Sequence, residues 1–169
     1  MDARVEQHIE VHKFHAGVVI GAVLLALALE AFLPLHFHWA ASIELTLLVT
    51  IYFALSRRNP SAGLLLGMVI GLAQDSLSHT PIGLYGISKT VVGFLASSLG
   101  SRIDVEHPVS RFLLTLVFFH IHNLVFVLTQ RVLLARQEPF ITPALLLSSL
   151  LNAALALLLF PLFDRLRKS

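Results

Sequence analysis

Six long apolar runs with short polar breaks constrain this chain more than any motif in it; they fall at about 16–35, 39–55, 60–77, 82–99, 112–133 and 144–163. A hydrocarbon layer about 30 Å thick is crossed by roughly 20 helical residues. Backbone amides find no water inside it, so each run is expected to be a membrane-spanning α-helix. Composition agrees with this: 56% of residues are hydrophobic and 13% charged, against roughly 45–50% and about 25% in soluble domains. Too few polar side chains remain to coat a water-soluble enzyme domain. The expected fold class is therefore all-α, a polytopic six-helix transmembrane bundle. Asn59 before Pro60 supplies a cap and a first-turn residue for the third, shortest run. Pro34, Pro81, Pro108 and Pro143 fall at or near expected span ends, where a missing amide hydrogen costs little. Cys is absent, which removes disulfides, thiolate metal sites and cysteine nucleophiles together.

Lys and Arg near span ends are retained on the cytoplasmic side. Arg4 and Lys13, Arg57 and Arg58, Arg102 and Arg111, and Arg165, Arg167 and Lys168 make nine on one side, against Arg131 and Arg136 on the other. Both termini are thus expected in the cytoplasm, with an arm at 1–15, a membrane domain at 16–163 and a basic tail at 164–169. A cleavable signal peptide is the competing reading of the first span, with Ala26-Leu27-Ala28 as the cleavage site. Against it, the run stays apolar past Glu30 to Leu35, and three acids precede it. The net charge of +2 comes in short clusters between apolar runs, which gives no nucleic-acid signal.

A charged group at mid-membrane costs about 2.5–3.5 kcal/mol on insertion scales, so each one requires a partner or a function. Glu30, Glu44 and Lys89 all lie about 7–10 Å below the outer ends of their spans, at 1.5 Å per residue. Asp75 is shallower, near the end of the third span. These four residues could meet in the outer half of the bundle, with Lys89 paired to Glu30 or Glu44. Three readings stay open: an internal salt bridge that fixes helix register, a ligand or ion pocket open to the outside, and separate snorkelling or protonated side chains.

The fifth span carries His120, His122, Asn123 and Gln130 and is too polar to face lipid on all sides. His120 and His122 point about 200° apart on a helix, so that span alone cannot present both to one metal. His8, His12 and His15 share a helical face and could chelate zinc or copper; the plainer reading is an amphipathic interfacial stretch. Gly63, Gly67 and Gly71 at four-residue spacing give the third span a face without side chains. Such a face packs closely on another helix, within this bundle or on a partner. Gly17 and Gly21, and Gly93 with Ser97, repeat the pattern more weakly. The stretch Gly83 to Thr90 imitates a phosphate-binding loop but lacks the Gly before Lys89 and the preceding strand. No motif supports an enzyme.

The stretch from Arg57-Arg58-Asn59-Pro60 through Gly63, Gly67 and Gly71 to Gly-Leu-Ala-Gln-Asp75, then Pro81-Ile82-Gly83, resembles the rod shape-determining MreD family in order and spacing. Val92-Gly93-Phe94-Leu95 resembles that family's Gly-aromatic stretch, so the specific similarity covers about 57–103. Ser88-Lys89 and the polar arm depart from the pattern. The resemblance implies a non-enzymatic, cofactor-free component of the bacterial inner membrane in the cell-elongation machinery for peptidoglycan. It also implies association with MreC and, through MreC, with MreB, RodA and its penicillin-binding transpeptidase. Gly63, Gly67, Gly71, Asp75, Pro81 and Gly83 match the family pattern. The family is also thought to share its fold with the substrate-binding subunits of energy-coupling-factor transporters. That implies an alternative function, capture of a small vitamin-type molecule in an outward pocket.

Overall fold

A computed structural model describes residues 14–100, 102–103, 105 and 107–166, and among these all regular structure is helical. Six α-helices follow one another: α1 Ala16–His36, α2 Leu45–Arg57, α3 Pro60–Leu77, α4 Leu84–Gly100, α5 Pro108–Leu134 and α6 Pro143–Asp164. A short 3₁₀ turn, His38–Ser42, joins α1 to α2. Five segments are long and apolar enough to cross a membrane: α1, α3, α5, α6 and the stretch His38–Arg57. The remaining helix, α4, has 17 residues and holds Lys89. Successive helices run antiparallel. The connections after α1, α3 and α5 mark what is here the distal end of the bundle, and those after α2 and α4 the proximal end.

Local sequence explains most of the boundaries. Proline opens α3, α5 and α6, where its missing N–H would have lacked a partner in any case. The side chains of Asn59, His107 and Thr142 cap these helices by accepting from the amides of Ala62, Val109 and Leu145. The reading of 60–77 as a helix with an Asn59 cap matches α3, whereas α5 starts four residues earlier than the apolar run at 112 suggested.

The second span departs from expectation. Residues 39–55 do not form one α-helix: the chain makes the 3₁₀ turn, passes extended through Ile43, and starts α2 only after Glu44. The 13 residues of α2 rise about 20 Å, some two-thirds of a hydrocarbon layer. Such a break is tolerated where protein, not lipid, surrounds it. This is the case here, because every residue from Thr46 to Ser56 is buried and α2 forms the axis of the bundle.

The closest pair of helices is α3 with α4. A Cβ at Gly67 would collide with the Lys89 carbonyl, one at Gly63 with Gly93 and Ser97, and one at Gly71 with Tyr85 and Gly86. These three glycines therefore form a seam inside the molecule, where close backbone approach gains dispersion contacts that no hydrophobic driving force supplies in lipid. Gly17 and Gly21 on α1 face open space. On the same helix Ile20, Leu24 and Leu25 are each more than half exposed.

Candidate functional site

In the distal half of the bundle every helix, or the residue capping it, gives a polar group to one buried centre. Glu30 comes from α1, Glu44 and Thr46 from the start of α2, Gln74 from α3, Lys89 from α4, His122 from α5 and Asn152 from α6. Lys89 is fully buried, with its Nζ 3.3 Å from Glu44 Oε2 and 3.5 Å from His122 Nε2. It also stands 5.0 Å from the centre of the Tyr85 ring. An ammonium only donates, so His122 Nε2 accepts and its ring proton sits on Nδ1. Of the two acids offered to Lys89 by the sequence, Glu44 makes the contact. The Lys89 side chain is 0% exposed and the Glu44 side chain 21%, so the carboxylate, not the ammonium, reaches the edge of the centre.

Glu30 serves the start of α2. Its Oε2 accepts from the Thr46 amide and hydroxyl at 2.8 Å each, and its Oε1 accepts from Gln74 Nε2 at 2.5 Å. Glu30 thus occupies the place of a cap for orphan amides at a helix N-terminus, supplied from a neighbouring helix. Asn152 completes the repair. Its Oδ1 accepts from the Glu44 amide at 2.8 Å, and its Nδ2 donates to the Ser42 and Ser148 carbonyls at 2.8 Å each. One amide side chain thereby replaces the backbone partners that the break between the 3₁₀ turn and α2 removes.

Asp75 does not join Lys89, which corrects the expectation that all four charged residues meet. Its carboxylate accepts from the amides of Gly83, Tyr85 and Gly86 at 2.8, 2.9 and 3.0 Å, and from the Thr80 hydroxyl at 3.1 Å. The group it neutralises is the positive end of α4. Gly83, at φ 109°, takes a left-handed conformation that side chains resist, and this lets the loop curl over the carboxylate. Pro81 lies exposed in the same turn, its carbonyl accepting from Leu84.

A second polar site lies at the proximal end, and the sequence reading missed it. Arg111, counted there as a loop residue, is buried in α5, with Nη2 2.7 Å from Asp164 Oδ2 and Nε donating to the Val105 carbonyl at 2.9 Å. The Tyr52 hydroxyl donates to Asp164 Oδ1 at 2.7 Å. The overlooked signal was Pro108, which places Arg111 inside the first turn of a helix. Gln74 and Asn152 were also missed, because a single amide in an apolar run carries no periodic signal. The fifth span was expected to be interior or at an interface; His122 on it is buried, whereas His120 bonds locally to the Leu116 carbonyl at 2.9 Å.

A cleft of about 170 Å³ opens beside the distal centre, lined among others by Ser42, Glu44, Tyr85, His122 and Phe126. Among the described residues no group of three His, Asp or Glu side chains could hold a metal; His8 and His12 lie outside them. Apolar helices enclosing a polar centre to which all of them contribute define a multi-pass, all-α membrane protein.

A family model, rod shape-determining protein MreD, matches residues 12–168, well beyond the 57–103 stretch, and the chain belongs to that family. It is thus a membrane component of rod-shape determination. No curated protein and no solved structure matches it.

Proposed function

We propose that this chain is a non-enzymatic component of the bacterial cell-elongation complex for peptidoglycan synthesis, and that it docks MreC within the inner membrane. The observation that carries this reading is the family match over residues 12–168. In this reading α4 is the sixth span, the distal end faces the periplasm and both termini are cytoplasmic. MreB, RodA and its penicillin-binding transpeptidase are reached through MreC. Support for a docking role comes from how the polar groups are used: Glu30, Asp75 and Asn152 hold helix starts.

The glycine seam of α3 meets α4 of the same chain, so the docking surface lies elsewhere. The face of α1 with Gly17, Gly21 and the exposed Leu24 is open to a partner helix. The expected result is that Gly21→Leu lowers co-purification of MreC about tenfold, a loss of about 1.4 kcal/mol, with unchanged membrane insertion and thermal stability. Gly67→Leu should instead lower the yield of folded protein. Unchanged MreC recovery with Gly21→Leu would remove α1 as the docking face. The alternative, a vitamin-type substrate-binding subunit, has only the cleft of about 170 Å³ in its favour, and drug-sized ligand pockets run to roughly 300–1,000 Å³.

A further inference from the structure

The distal cleft has a chemistry that holding helices together does not require. Its charged lining group is the Glu44 carboxylate, since the Lys89 ammonium behind it is fully buried. The rings of Tyr85, Phe119 and Phe126 supply aromatic walls, with Tyr85 and Phe126 in contact at 4.7 Å between centroids. Carboxylate and aromatic faces together are the surroundings that attract an organic ammonium. Two hydrogen-bonding groups of the lining residues are unused: the Tyr85 hydroxyl and His122 Nδ1 have no hydrogen-bond partner among the described residues. With Nε2 facing Lys89, that Nδ1 is a donor, as the Tyr85 hydroxyl can be. One acceptor of positive charge and two free donors thus border the same small space, whose volume equals that of about five or six waters.

We propose that this cleft binds the zwitterionic headgroup of an aminophospholipid, with its ammonium against Glu44 and the aromatic rings and its phosphate toward Tyr85 and His122. The negative charge of Glu44 and the two neutral hydrogen-bond donors match a ligand that carries an ammonium and a phosphate a few bonds apart. Neither a simple anion nor an apolar molecule uses both. A membrane lipid suits the position, because the cleft is also bordered by Ser42 at the end of the 3₁₀ turn, where Trp39 is 62% exposed, and tryptophan favours the headgroup level.

The test is native mass spectrometry of the full chain released from nanodiscs made of equal parts phosphatidylethanolamine and phosphatidylglycerol. The wild-type protein should retain phosphatidylethanolamine about tenfold over phosphatidylglycerol, equivalent to about 1.4 kcal/mol. Glu44→Gln and Phe126→Leu should each abolish that preference. Phe126→Leu leaves the Lys89–Glu44 pair in place and reports on the cleft even if Glu44→Gln fails to fold. Free phosphoethanolamine added in excess should displace the retained lipid. Displacement by free ethanolamine alone, with no effect of the phosphate, would overturn the zwitterion in favour of a bare ammonium. Equal retention of the two lipids by the wild-type protein, or a preference that survives Phe126→Leu, would overturn the proposal.

Discussion

Lys89 shows how a single residue is made tolerable inside an apolar bundle. A lone buried ammonium would be prohibitive, but Glu44 Oε2 at 3.3 Å and the His122 lone pair at 3.5 Å fill its surroundings. Removing one member of a buried pair leaves the other uncompensated, at about 3–5 kcal/mol. Lys89→Ala should therefore lower stability by that amount in thermal unfolding of the detergent-solubilised chain. The double variant Lys89→Ala with Glu44→Gln should lose less than the sum of the singles by about 0.5–3 kcal/mol, because contacting residues couple. Strict additivity would show that the contact carries no energy. Asp75 illustrates the opposite allocation: three backbone amides at the start of α4 satisfy it more fully than one shared ammonium could.

At the level of the element, the decisive feature is the interruption before α2. An apolar stretch of adequate length would continue as helix if lipid surrounded it; here it stops, and Glu30 and Asn152 from other helices accept and donate to the exposed backbone. Asn152→Ala leaves the Ser42 carbonyl and the Glu44 amide without that partner, and an unsatisfied buried group costs about 1–3 kcal/mol. The expected outcome is a loss of that size, with faster hydrogen exchange at the Glu44 amide than elsewhere in the bundle. An unchanged exchange rate would mean that the break is held by something other than Asn152. The α3–α4 seam works differently, through missing side chains rather than added polar ones, and so it tolerates no bulk.

For the whole molecule, two polar ties at opposite ends join helices distant in sequence: Glu30, Gln74 and Asn152 around α2 distally, and Tyr52, Arg111 and Asp164 proximally. Such ties fix which helices are neighbours where apolar contacts discriminate little. The proposed orientation makes a direct prediction. A cytoplasm-active reporter fused after residue 169 should be active, and a periplasm-active one inserted at Arg136 in the α5–α6 connection should be active as well. Reversed activities would invert the assignment of the two ends.

The helical class, the number of helices and the α3 boundaries followed from the sequence alone, because hydrophobic length and an Asn-Pro start are local properties. The glycine face was legible as a face; that it meets α4 and not a partner depended on how the hairpin folds. Likewise, that Glu44 and Lys89 could pair was legible from helical rise, while the choice of Glu44 over Glu30 for Lys89, and of the α4 start for Asp75, was not. Nor could the break before α2, the role of Asn152 or the burial of Arg111 be read there. The physical reason is the same in each case. Hydropathy reports the cost of leaving water, summed along the chain, whereas a hydrogen bond or an ion pair is decided by which two groups come within about 3 Å, and only packing in three dimensions sets that.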